Sequence, residues 1–121
     1  MRTATAVLAL LATARAETLV VTSDDGTASW AVASYSAMSA VVGDVISFSY
    51  NTAHDVWKMA SAAACEDTGS TELGTNSIGG GSGSLTNLYE YTVTSDDLAA
   101  GTIYFGCSYW PYGDWSHCTS G

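Results

Sequence analysis

The chain carries two histidines, His54 and His117, and three cysteines, Cys65, Cys107 and Cys118. Cys107 and His117 stand near the end of the sequence, in Tyr104-Phe105-Gly106-Cys107-(x9)-His117-Cys118. A soft thiolate and an imidazole so close together suggest a metal-binding loop, and His54 supplies a second imidazole from far upstream. Two histidines and one cysteine are the ligand set of a trigonal copper site that carries electrons. A sequence this poor in ligands still contains the whole set, so His54, Cys107 and His117 are the candidate metal ligands. The opposing reading is that each histidine is a structural or surface residue of a strand.

The cysteine count bears on the same question. Residues 1–16 begin with Met1-Arg2, pass through the apolar run of residues 7–12, and end in Ala14-Arg15-Ala16. A charge, a short apolar core and an Ala-x-Ala site predict a secretory signal peptide, with the core too short for a transmembrane span. A secreted chain meets an oxidising compartment, where two of three cysteines are expected to pair. The third thiol then requires an explanation. Metal ligation is one; an unpaired buried thiol or an intermolecular disulfide are others.

The expected mature segment, residues 17–121, is one small domain. It holds Lys58 as its only lysine or arginine against all 12 acidic residues, a net charge of −11. Nucleic acid and anionic membrane surfaces are unsuitable partners, because almost nothing is present to neutralise phosphate. A cationic partner, or solubility outside the cell, fits this charge. No Asn-x-Ser/Thr site is present, so N-glycosylation is not expected.

The elements that must position these residues read as β. Residues 17–22 are rich in β-branched side chains and predict a first strand, followed by the turn Ser23-Asp24-Asp25-Gly26. Residues 29–32 predict a second, short strand. Residues 45–50 alternate, with Ile46, Phe48 and Tyr50 on one face. Residues 56–59 follow His54, and residues 60–64 suit a helical turn or a strand end. Residues 68–83 are polar and glycine-rich and predict a flexible surface loop. Residues 88–93 alternate again, residues 95–98 resemble a capped turn, and residues 102–105 form the last strand visible. About six short strands separated by turns argue an all-β sandwich.

At this point Val42-Gly43-Asp44, Asn51-Thr52-Ala53-His54-Asp55, Cys65, Gly101 to Cys107 and His117-Cys118-(x2)-Gly121 together resemble a phytocyanin. Phytocyanins are secreted, plant-type blue copper proteins of the cupredoxin superfamily. The resemblance is strongest from Val42 onward, and no element alone is specific. It implies a cupredoxin-like Greek-key β-sandwich over residues 17–121. It assigns His54, Cys107 and His117 to copper, Cys65 and Cys118 to a disulfide, and Asp55 to bracing the ligand loops by hydrogen bonding. If residues 116–119 are extended, adjacent side chains face opposite ways. His117 then turns to the metal and Cys118 to the disulfide.

Two departures from the family pattern stand out. The family spacing Cys-x4-His is here Cys-x9-His, and the extra residues include Tyr109, Trp110, Tyr112 and Trp115. These aromatics are expected to shield the site and cover the core edge, with a docking patch as the alternative. The family also places a weak axial Met or Gln four residues after the second cysteine, followed by a final strand. The given sequence stops one residue short of that ligand, so a C-terminally truncated domain lacking its last strand is expected.

The implied function is one-electron transfer by a secreted or cell-surface type 1 copper protein, cycling between Cu(I) and Cu(II) with a redox partner. Such a protein is not an enzyme. The alternative is a copper-free cell-surface or wall-interaction module on the same fold. A copper oxidase needs further ligands, and with two histidines the chain has none to spare.

Overall fold

β2 (Val45–Tyr50) carries the clearest side-chain pattern in the chain, and the core is built on it. Ile46, Phe48 and Tyr50 point inward and are almost fully buried, as the period-2 alternation requires. The computed structural model describes residues 16–51, 54–62, 64–74, 87–108, 113–115, 117 and 118. Among these, the further elements are β1 (Thr18–Val20), β3 (Val56–Met59), β4 (Thr71–Gly74), β5 (Asn87–Thr92), α1 (Ser95–Ala100) and β6 (Tyr104–Gly106). The expected signal peptide falls almost entirely on residues outside this set. No helix among the described residues is long and apolar enough to cross a membrane.

The strands form two three-stranded sheets, ordered β1-β2-β5 and β4-β3-β6. β1 runs parallel to β2, and β5 runs antiparallel to it, with Phe48 opposite Tyr89. β3 is antiparallel to both β4 and β6. The sheets pack face to face through Phe48, whose ring meets Phe105 at 4.9 Å and Trp30 at 5.4 Å. Val21, Val56 and Val93 complete the buried centre, so the described residues form a mainly β protein, a small sandwich with the short helix α1 beside it. Burying each such side chain stabilises the fold by about 1.5–3 kcal/mol.

α1 begins where residues 95–98 predicted a capped turn. Thr94 Oγ1 accepts from Asp97 N–H, and Asp97 accepts back from Thr94 N–H. This reciprocal capping satisfies donors that the first helical turn leaves open. Asp97 also takes a 2.6 Å ion pair from Lys58 and a 2.7 Å bond from Tyr91 Oη–H, which fastens α1 to β3 and β5.

Several expectations are corrected. Residues 29–32 form no strand. Tyr35 Oη accepts from Ala31 N–H and donates to Ser29 O, so one hydroxyl captures groups that a strand partner would need. β4 lies inside the predicted loop of residues 68–83, while residues 75–86 fall outside the described set. Its signal was weak because Thr71-Glu72-Leu73-Gly74 has a single large apolar residue. Gly74 closes the strand where a Cβ would lie 2.7 Å from Tyr89 Cβ. The last strand is Tyr104–Gly106, shifted toward the C-terminus from residues 102–105. Residues 60–62 make bends and a turn directly after β3 ends at Met59, which agrees with the strand-end alternative for this stretch.

Candidate metal centre

His54 stands two residues before β3, and Cys107 directly follows β6. These strands are antiparallel neighbours, with Trp57 opposite Gly106. The start of β3 and the end of β6 therefore lie at the same end of the sheet. Strand pairing alone brings a histidine and a cysteine that are 53 residues apart to one place. Trp30 fixes the chain just after His54, its Nε1–H donating to Asp55 O at 2.8 Å.

Asp55 joins the two segments that carry His54 and Cys107. It is one of the most deeply buried residues, at 1% exposure. Its Oδ1 accepts from Ser108 N–H at 2.7 Å, and its Oδ2 accepts from Ser108 Oγ–H and from Trp57 Nε1–H. A carboxylate so buried is stabilised by the donors aimed at it.

His117 arrives by a different route. Trp115 N–H donates to Ser108 O at 3.0 Å, so the chain that leaves at Ser108 returns at Trp115. The long Cys107-to-His117 spacing is thus pinched at its base, and His117 is delivered close to Cys107 despite it. Trp115 is buried against Trp57, with ring centres 5.1 Å apart, and its Nε1–H donates to Asp67 Oδ1 at 2.7 Å. Its φ of 62° lies in the left-handed region, a strained conformation for a tryptophan, which these contacts hold in place. The packing reading of Trp115 agrees with this burial; Tyr109, Trp110 and Tyr112 lie outside the described residues.

Cys65 and Cys118 are bonded, with their Cα atoms 5.8 Å apart, and Cys107 is buried outside the disulfide. The backbone at His117 and Cys118 is helical, not extended. Successive side chains on a helix diverge by about 100°, enough to send His117 to Cys107 and Cys118 to Cys65.

The result is a cluster in which one ligand atom each from His54, Cys107 and His117 lies within 4.8 Å of the others. Cys107 Sγ is 3.5 Å from His54 Nδ1 and 3.6 Å from His117 Nδ1. Metal bonds of about 2.3 Å to sulfur and 2.0–2.1 Å to nitrogen, opening about 110–120°, would place these atoms about 3.6–3.8 Å apart. Both sulfur–nitrogen distances match this spacing. Burial, and then the charge of His117, hold the His54 pKa down to about 4 against the opposing pull of Asp55. Burial lowers that of His117 too, opposed by Asp114 and Asp55. Both imidazoles are therefore neutral at pH 7, the state in which nitrogen offers a lone pair to a metal.

Sequence reasoning placed Asp55 beside the site but missed Ser108, Trp57, Trp30 and Asp67. Ser108 carried a weak signal, as a hydroxyl next to the candidate thiolate. The pairing of Asp67 with Trp115 carried none, since it spans 48 residues.

Compared with known proteins, the chain matches no family model, no curated protein and no solved structure. The likeness to phytocyanins rests on the motifs quoted above.

Proposed function

We propose that the protein binds one copper ion through His54, Cys107 and His117 and carries single electrons. The observation that supports this reading is the approach of two imidazole Nδ1 atoms to a single buried sulfur at 3.5 and 3.6 Å. A thiolate with two imidazoles is the equatorial set of electron-transfer copper sites. Copper held there would supply one-electron chemistry by alternating between Cu(I) and Cu(II).

The protein's own part is to keep the donors fixed and dry. His54 and Cys107 are each only 6% exposed, which keeps water from the sulfur. The Asp55 carboxylate ties the residue after His54 to the residue after Cys107, so the two cannot drift apart without breaking buried hydrogen bonds. His117 is the more exposed imidazole and forms the natural edge for electron exit. A redox protein with a cationic face suits the chain's net charge of −9. Secretion agrees with the disulfide, which needs an oxidising compartment. In this reading no bond of a substrate is made or broken, and the protein is not an enzyme.

Titration with Cu(II) followed by visible absorption tests the proposal. One equivalent is expected to give an intense thiolate-to-copper band. Cys107→Ser should abolish the band while the disulfide and the sheets persist. A folded protein that keeps Cys107 as a thiol and stays colourless would move the reading to a copper-free surface module.

A further inference from the structure

We propose that segment 65–67 is a two-point clamp that positions His117, and that its disulfide makes metal affinity redox-sensitive. The inference rests on the metal reading above. One point of the clamp is Cys65, bonded to Cys118, the residue next to His117. The other is Asp67, whose carboxylate accepts from Trp115 Nε1–H at 2.7 Å, two residues on the other side of His117. Both tethers flank the ligand and both end on the same three-residue segment.

The two tethers differ in chemistry. The Asp67–Trp115 bond holds under reducing and oxidising conditions alike, while the disulfide can be opened. Cys65 and Cys118 are only partly buried, and both line an open groove of about 680 Å³, so a small reductant can reach the sulfurs. Met59 Sδ, 3.5 Å from Cys118 Sγ, packs against the bond on the face that Gly106 leaves open by having no Cβ. His54 and Cys107 are held by the β3–β6 pairing and by Asp55, none of which involves the disulfide. Opening it therefore removes one support of His117 and leaves those of the other two candidate ligands in place.

With a water-soluble phosphine as reductant, phosphorus attacks one sulfur and the S–S bond breaks. Water supplies the oxygen of the phosphine oxide, and its two protons end on Cys65 and Cys118. Two electrons pass from phosphorus to the sulfur pair, and Cys107 is not consumed.

The test is competition for Zn²⁺ against a chromophoric chelator, using the full chain. Zn²⁺ takes the same donor types and is not reduced by the phosphine; a Cys65→Ser/Cys118→Ser variant, which opens the tether without adding thiol ligands, is measured beside the reduced protein and should show the same loss. Oxidised and phosphine-reduced protein are compared for the wild type, His117→Ala and Asp67→Ala. Reduction should weaken wild-type binding by about tenfold or more, the usual range for losing support of a ligand. In His117→Ala it should change nothing further, because the clamp acts through that residue. Asp67→Ala, which removes the acceptor of the Trp115 bond, should weaken binding with the disulfide intact while circular dichroism stays that of the wild type. The clamp is overturned by equal affinity before and after reduction, by the same loss in His117→Ala, by global unfolding on reduction, or by unchanged affinity in Asp67→Ala. Failure of the oxidised wild type to bind Zn²⁺ would overturn the metal reading itself, and the clamp with it.

Discussion

Asp55 commits both carboxylate oxygens to the two segments that carry the buried candidate ligands His54 and Cys107. Its Oδ1 and Oδ2 take three donors from Ser108 and Trp57, and all of these groups are shielded from bulk water or partly so. Asparagine at this position keeps one acceptor oxygen and turns an amide N–H₂ toward another donor. Asp55→Asn is expected to lower stability by about 1–3 kcal/mol, the cost of leaving buried donors unsatisfied. Metal affinity should fall by about 10–100-fold, since the ligands lose their common brace. Urea denaturation and metal titration check the two effects separately. Unchanged affinity with reduced stability would make Asp55 a packing residue alone. The residue's nearness to His54 was legible in the sequence. Its partner Ser108 was not, because 53 residues separate the two and only the strand pairing closes that distance.

At the scale of elements, the tie from α1 to the sheets gives the fold an acid-sensitive seam. Burial raises the Asp97 pKa, but the bonds from Lys58, Thr94 and Tyr91 outweigh it and hold the carboxyl below the usual carboxylate range. The unfolded chain then takes up a proton at higher pH than the folded one. The stabilisation is fully present above the ordinary aspartate pKa of about 3.9 and is lost as pH falls below it. Asp97→Asn should flatten this acid limb and lower neutral-pH stability by about 1–3 kcal/mol, read from denaturation midpoints across pH. The same bond raises the Lys58 pKa, so its contribution lasts until pH passes its ordinary value. That lysine is 37% exposed, and solvent screening keeps the alkaline limb shallow. The loop between Cys107 and His117 yields a second prediction. Deleting residues 109–112 leaves Ser108-Gly113-Asp114-Trp115, a four-residue turn closed by the existing Trp115 N–H to Ser108 O bond. Gly113 already has φ 64°, which suits a tight turn. The shortened protein is expected to stay folded within about 1 kcal/mol of the parent and to keep its metal affinity. Loss of metal binding would show that the excursion itself shapes the site.

For the molecule as a whole, the two sheets are joined through one aromatic cluster. Phe48 sits between Trp30 and Phe105, and Phe105 meets Tyr91 at 5.5 Å. Phe48→Ala removes the ring at the centre of the sandwich, and the surrounding strands can collapse only in part. The expected loss is about 3–5 kcal/mol, measured by chemical denaturation. A loss below about 1 kcal/mol would mean that the sheets close over the gap and that the ring is not the main joint between them. The site depends on this joint, because β3 carries His54 into place only while its sheet stays packed against β2.

Chemistry and local backbone preference were written into the sequence. The candidate ligand set, the odd cysteine, the buried face of β2 and the capped start of α1 each depend on residue type or on neighbours a few positions apart. Local patterns do not say which strand pairs with which. Antiparallel pairing of β3 with β6 put His54 beside Cys107, and a tertiary hydroxyl from Tyr35 cancelled the strand expected over residues 29–32. The disulfide and the Asp67–Trp115 bond drew His117 in across separations of 53 and 48 residues. Such contacts form because burial of Phe48, Val56 and their neighbours offsets the entropy of closing long loops, a balance held by the whole chain and by no single stretch of it.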